Sequence, residues 1–341
     1  MREPIINKAQ FTAKDLAGED IRWCPGCGDY AILSQMKKML PKLGLPKENF
    51  VFVSGIGCSS RFPYYLSTYG FHGIHGRAPA LASGIKLANP DLKVFVITGD
   101  GDGLSIGGNH FIHLCRRNID ITVILFNNQI YGLTKGQYSP TSEQGQITKS
   151  SPFGSIEPAF NPVTMALASG ASFVARSTDR EQKHLGEMLL RAAQHKGTSF
   201  VEVYQNCVIF NDGAYSDITD TKLKKDNLLI MEQGKPYVFG QNSDKAVNWN
   251  GNKFEVVPYN ESTKSNNLFT HDEHGLRATT EFVLAGLSEQ PDLPTPIGVF
   301  RNEKRDTYEA LLEKQIEFVK QNKGEGRLVD LFNEGHTWTV D

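Results

Sequence analysis

Residues 99–128 read GDGDGLSIGGNHFIHLCRRNIDITVILFNN, and this stretch decides the fold. Residues 94–98 before it (VFVIT) form a short apolar run with the look of a buried strand, and residues 121–126 form another. Between them lie a glycine–aspartate loop and a helical pattern from about Ser105 to Arg117. Strand, crossover helix and strand predict a parallel pair covered on both faces. In such sheets ligands bind beyond the carboxyl ends of the strands, where GDGDG and Asn127-Asn128 both fall. The glycines let a diphosphate approach the backbone, with helix amides facing it. Asp100 and Asn128 then stand side by side at two strand ends. One carboxylate, one amide oxygen and a nearby carbonyl suit Mg²⁺, which takes few oxygens from protein. The competing reading is a surface turn followed by an unrelated Asn pair, and the strand–helix–strand spacing speaks against it. A Rossmann dinucleotide site is disfavoured because the loop lacks G-x-G-x-x-G.

The alternation extends both ways. Residues 28–43 carry apolar side chains at helical spacing, 50–53 read as a strand and 78–88 as a small-residue helix stopped by Asn89-Pro90. Downstream, 162–169 and 180–195 read as helices, and 173–176 and 200–204 as strands. The expected architecture is a doubly wound α/β fold with a mostly parallel sheet. Its parts are an N-terminal segment (1–23), a ligand-binding domain (24–215) and a C-terminal extension (216–341) appended to it. In that extension residues 291–296 read as a proline-marked loop. Residues 306–320 read as an amphipathic helix with Tyr308, Leu312, Ile316 and Val319 on one stripe. His271-Asp-Glu-His274 reads as an exposed acidic loop rather than a metal site.

The 341 residues hold 36 basic and 38 acidic side chains, a net charge of −2. No basic excess exists to neutralise a phosphate backbone, so nucleic acid is not an expected partner. No apolar run approaches the length of a membrane span, and residues 1–11 lack a signal-peptide core. A cytoplasmic location is expected.

Five cysteines stand at 24, 27, 58, 115 and 207. An odd number in a reducing compartment argues against a disulfide framework. WCPGCG at residues 23–28 admits three readings. A thioredoxin-like pair needs a preceding strand, and residues 13–20 are polar. A zinc ribbon needs a second close CxxC, which the sequence lacks. An iron–sulfur cluster needs two further thiolates, and Cys58 and Cys207 each follow a strand at the ligand edge. Cys115, inside the helix after GDGDG, reads as a buried small hydrophobe.

GDG followed by NN at this spacing resembles the thiamine diphosphate motif. The resemblance places Mg²⁺ on Asp100, the Asn128 side chain and the Ile130 carbonyl, and lays Gly101 and Asp102 along the diphosphate. Together with the cysteines, the chain resembles the β subunits of 2-oxoacid:ferredoxin oxidoreductases. The stretches that carry the likeness are WCPGCGDYAIL, GIGCSSR, HGRAPALASGIKLANP, GDGDGLSIGGNHFIHLCRRNID and NNQIYGLTKGQYSPTS, covering roughly residues 21–215. The resemblance implies one [4Fe–4S] cluster on Cys24, Cys27, Cys58 and Cys207. It puts Ile56, Gly57, Cys58, Ser59, His75, Gly132 and Leu133 around the thiamine diphosphate. His75 is the candidate catalytic side chain, and its competing reading is a loop histidine bonded to backbone. Arg61 and Lys135 are the expected substrate contacts, Arg61 favouring a distal carboxylate and hence 2-oxoglutarate over pyruvate or branched-chain 2-oxoacids. The implied partners are a larger α (or fused γ–α) subunit in a dimer of heterodimers, ferredoxin, coenzyme A and the 2-oxoacid. A non-redox thiamine decarboxylase or a purely electron-transferring subunit are the readings from other classes. The four cysteines argue against the first, and intact Asp100 and Asn128 against the second.

Overall fold

The strands, in chain order, are β1 (Phe50–Ser54), β2 (Tyr69–His72), β3 (Lys93–Gly99), β4 (Ile121–Asn127), β5 (Phe173–Thr178), β6 (Ser199–Tyr204), β7 (Leu228–Ile230), β8 (Tyr237–Phe239), β9 (Lys245–Trp249), β10 (Phe254–Pro258) and β11 (Thr295–Asn302). The computed structural model describes residues 11–260, 263, 268–275, 278–290, 292–338 and 340. Eight strands form one sheet in the order β2-β1-β3-β4-β6-β5-β11-β7. The first six pair in parallel. β11 runs antiparallel to β5, with β7 parallel beside it.

The central strands are apolar without alternation because both faces are covered. Val51, Val53, Val94, Val96, Val123 and Leu125 pack in one core with residues of α2 (Ala78–Ala88), α4 (Gly108–Arg117) and α5 (Pro162–Ala168). The intervening Phe50, Phe52, Phe95, Ile97, Ile124 and Phe126 pack in a second core with residues of α1 (Asp29–Met39) and α6 (Gln182–Gln194). The period of two along each strand thus sorts residues between two helical layers. From β1 the chain steps outward to β2, crosses back to β3 and proceeds the other way. The reversal leaves a crevice between the carboxyl ends of β1 and β3, the usual ligand position in open α/β sheets.

The structure departs from the sequence reading in several places. GDGDG is itself helical, as α3 (Asp100–Leu104), and a break at residues 105–107 separates it from α4. β2 is an additional strand; its four residues are all exposed. Residues 216–341 do not stand apart from the core: β7 and β11 extend the main sheet. Pro296 lies within β11, ahead of Gly298 where pairing with β5 begins, so it removes no hydrogen bond from that ladder. The helix Tyr308–Lys323 buries none of its residues. Of the predicted stripe only Leu312 is half-buried, and every described residue from Glu313 onward is exposed. The base of this helix is tied to the body: Tyr308 N donates to Asn118 O (3.4 Å), and Asp120 N to Glu309 Oε1 (3.2 Å). Among the described residues no helix is long and apolar enough to cross a membrane.

His271 is buried rather than exposed. Its Nδ1 pairs with the Tyr237 hydroxyl (3.1 Å) and its Nε2 with Val299 O (2.7 Å), so it locks the segment against β11.

Candidate cofactor cleft and thiol site

The crevice at the β1–β3 switch is lined by the loop after β1 (Ile56, Gly57, Cys58, Ser59), by His75, by α3 (Asp100, Gly101, Asp102) and by the loop after β4 (Asn128, Ile130, Gly132, Leu133). Gly57 takes φ of +134°, a conformation that favours glycine, and nothing lies within 4 Å of where its Cβ would be. Gly101 is required for a different reason: a Cβ there would lie 2.2 Å from the Tyr131 ring. The Tyr131 hydroxyl donates to Gly101 O (3.0 Å) and holds the two loops together.

Asp100 opens α3 and is 2% exposed. Its Oδ2 accepts from the Ser139 hydroxyl (2.5 Å) and lies 2.6 Å from Thr141 Oγ1. Burial pushes its carboxyl up, to about 6, against the pull of the two hydroxyls. Ser139 and Thr141 were not singled out in the sequence. They sit in YSPTS, one of the stretches of family likeness, and only the fold brings them under Asp100. Asn128 Oδ1 accepts from Ile130 N (3.2 Å), and Asn127 Oδ1 accepts from Gln129 N (3.2 Å). These two bonds shape a turn in which Gln129 takes φ of +56°.

Asp102 lines the cleft, and its carboxylate turns back into the protein. Oδ1 accepts from Ile56 N (3.1 Å) and Gly76 N (2.9 Å), and Oδ2 from the Thr98 hydroxyl (2.7 Å). His75 Nδ1 lies 3.0 Å from Oδ1. A Cβ on Gly55 would sit 2.0 Å from Oδ2, so glycine is needed for the close approach. Asp102 therefore staples the loops after β1 and β2 to α3. Arg61 and Lys135 do not line the cleft. Arg61 lies on the 3₁₀ turn Ser59–Tyr65 and donates through Nε to the Tyr65 hydroxyl (2.9 Å). Lys135 is exposed and takes φ of +76°.

Three loops carry the four cysteines, and hydrogen bonds pin them together. Trp23 Nε1 donates to Cys58 O (2.7 Å), joining the CxxC loop to the loop after β1. Gly28 N donates to Asn206 O (3.2 Å), and Gln205 Nε2 lies 3.3 Å from Cys27 Sγ. Asn211 Nδ2 donates to Asn128 O (2.9 Å), tying the Cys207 turn to the cofactor edge. A Cβ on Gly132 would stand 3.4 Å from Cys207 Sγ and 3.9 Å from Cys58 Sγ. Gly132 also lines the cleft, so cleft and thiols share a wall. Burial pushes the Cys58 thiol up to about 12, aided by the nearby Asp29 carboxyl, and pushes Cys27 higher still. A thioredoxin-type pair needs the opposite, a depressed thiol. Among the described residues no three His, Cys, Asp or Glu side chains close in around a single ion. Cys115 is fully buried in the apolar core.

A family model described as the C-terminal TPP-binding domain of thiamine pyrophosphate enzymes matches residues 55–203, which include the cleft loops. The chain is 49% identical over 340 residues to 2-oxoglutarate oxidoreductase subunit KorB of Mycobacterium tuberculosis, covering 99% of this chain and 91% of that protein. It is 50% identical over 210 residues to 2-oxoacid:ferredoxin oxidoreductase 1, subunit beta, of Aeropyrum pernix, covering 62% of this chain and 64% of that protein. A solved 2-oxoglutarate:ferredoxin oxidoreductase from Magnetococcus marinus, with 2-oxoglutarate, coenzyme A and succinyl-CoA bound, superposes with a TM-score of 0.75 at 30% identity. That match covers 96% of this chain and 97% of the other. With a thiamine diphosphate-binding domain at its centre and a relative matched nearly end to end, the chain belongs to the 2-oxoacid:ferredoxin oxidoreductases, as a beta subunit.

Proposed function

We propose that this chain is the catalytic beta subunit of a 2-oxoglutarate:ferredoxin oxidoreductase. It converts the 2-oxoacid and coenzyme A to acyl-CoA and CO₂, or runs the reverse, passing electrons through its own [4Fe–4S] cluster to ferredoxin. The observation that carries this reading is the wall at Gly132, which separates the cofactor cleft from two of four clustered thiols. When bound, thiamine diphosphate supplies the electron sink for loss of CO₂, and a cluster supplies a one-electron carrier beside it.

The residues fit both groups. The Asp100 carboxylate, Asn128 amide oxygen and Ile130 carbonyl form a hard oxygen set for Mg²⁺. The open space beyond Gly57 leaves room for a diphosphate against backbone. Cys24, Cys27, Cys58 and Cys207 lie on loops bonded to one another, and four thiols around a cubane need wider spacing than ligands of a single ion. Buried thiols with raised pKa values hold their protons until a metal displaces them. His75, half-exposed and bonded to Asp102, is assigned to the phosphates or a reacting proton at the cleft mouth. Arg61, three residues after Cys58, is assigned to the distal carboxylate of the substrate together with Lys135 and Leu133, although of the three only Leu133 lines the cleft of this chain.

The carboxylate that activates the aminopyrimidine in thiamine enzymes is assigned to a larger α (or γ–α) partner, in a dimer of heterodimers working in the cytoplasm. Iron, acid-labile sulfide and thiamine measured together on the purified complex test the assignment. Four irons and one thiamine per copy of this chain are expected beyond any clusters on the partner. Thiamine without iron on this chain would leave a non-redox decarboxylase.

A further inference from the structure

On the α5 side of the sheet, at the carboxyl end, a polar seam crosses three strands. Arg176 on β5 lies opposite Glu202 on β6, and its Nε donates to Glu202 Oε2 at 2.6 Å. The other carboxylate oxygen, Oε1, accepts from Asn127 Nδ2 at 2.7 Å. Asn127 closes β4, one residue before Asn128. Arg176 is 1% exposed, Glu202 0% and Asn127 2%. The guanidinium is wedged between the Tyr204 and Phe300 rings, 5.1 and 5.4 Å from their centroids.

Such a pair is a poor stabiliser, because the cost of removing both charges from water rivals their attraction. The residues two positions earlier on the same strands and the same face are apolar: Val174, Phe200 and Leu125. What the pair does instead is fix one amide. With Nδ2 held by a carboxylate, Asn127 can present only its oxygen to the other side. There Oδ1 receives Gln129 N at 3.2 Å and lies 2.9 Å from Thr141 Oγ1, the hydroxyl next to Asp100. Turned over, the amide would set its NH₂ against the Gln129 N–H, and the turn carrying Asn128 and Ile130 would lose its acceptor.

We propose that the buried Arg176–Glu202 pair is a positioning device for the metal-binding edge of the cleft, acting through the orientation of the Asn127 amide. The inference rests on the reading of Asp100, Asn128 and Ile130 as that edge. Neither member of the pair lines the cofactor cleft. Because Phe300 belongs to β11, the C-terminal segment takes part in the device.

The test uses the complex with its partner subunit and two readouts: Mg²⁺-supported thiamine diphosphate affinity, and thermal midpoint without cofactors. The apolar double variant Arg176→Met/Glu202→Met should lose no more thermal midpoint than one unsatisfied amide donor costs, yet bind thiamine diphosphate about 10-fold more weakly or worse, because the Asn127 amide is free to turn over. Arg176→Met/Glu202→Gln, whose amide oxygen can still accept from Asn127 Nδ2, should recover most of that loss. Wild-type affinity in the apolar double variant overturns the proposal. Should that variant fail to assemble, Asn127→Ala decides, since it leaves the ion pair whole: the same weakening is expected, and unchanged affinity overturns the proposal. Asp100→Ala serves as the control and should lose thiamine diphosphate. Retention there overturns the cleft reading itself and this inference with it, whereas loss there beside an unaffected Asn127→Ala overturns the inference alone.

Discussion

Cys115 and Cys207 carry the same thiol in opposite settings. Cys115 sits in α4 with apolar neighbours, while Cys207 lies beside Cys58 across Gly132. Cys207→Ser should lose or degrade the cluster, because a serine oxygen is a poor iron–sulfur ligand. Cys115→Ser should keep its iron per folded chain, although burying a hydroxyl costs about 1–3 kcal/mol of stability. Iron content and visible absorbance check both, and the reverse pattern would show that the fourth ligand is misassigned. Arg61→Ala should cut turnover of 2-oxoglutarate about 10-fold or more while sparing pyruvate, since only the first has a distal carboxylate for charge-assisted hydrogen bonds. Equal losses on both substrates would move Arg61 to the common carboxylate or to the fold. At this scale the sequence showed residues whose type announces chemistry: the cysteines, Asp100 and Asn128. It hid Ser139, Thr141, Glu202 and Arg176. Hydroxyls occur everywhere, and nothing local marks an arginine that meets its glutamate 26 positions later across a strand pair.

Helix α6 gives the fold a pH dependence. Its inward face holds Leu185, Met188, Leu189 and Ala192, and next to them His184 Nδ1 lies 2.8 Å from the Ser177 hydroxyl on β5. Burial pushes His184 down to about 4, so the folded helix holds it neutral. The unfolded chain takes up a proton below about 6.5. This contribution to stability is therefore whole above that pH and drains away as pH falls towards 4, at no more than about 1.4 kcal/mol per unit. His184→Gln should flatten the acid limb of a melting-point profile between those values. A profile parallel to wild type would mean that other groups carry it. Elements announced by long apolar runs or strong helical period were legible: β1, β3, β4, α1, α2 and α6 all lie where the sequence put them. β2 escaped because YGFH is four exposed residues without alternation, and its strand identity comes only from pairing with β1. α3 escaped because glycine and aspartate are weak helix formers, and its turn is set by the cleft bonds around it. β11 was obscured by Pro296, a residue tolerated because the ladder with β5 starts two positions later.

As a whole molecule the chain ends in an arm whose base is fastened to the loop before β4 and whose described residues from Glu313 onward are all exposed. Phe318, Leu331, Phe332 and Trp338 are 64–84% exposed along it. Exposed apolar side chains of this number are what a contact with another chain would cover, and the partner-contacting role proposed for residues 216–341 is testable on them. A chain stopped after Glu313 keeps its anchoring bonds and should melt within about 2 °C of the full chain. Co-purified with its partner, it should form a smaller or weaker assembly by light scattering; an unchanged mass and dissociation constant would count against the role. The same arm has a bearing on supply. A copy synthesised without a partner holds these apolar side chains in water. Chaperones and proteases select such segments, so unpaired copies are the ones removed. If the arm is the partner contact, ordinary protein surveillance would then match the number of these subunits to the number of their partners.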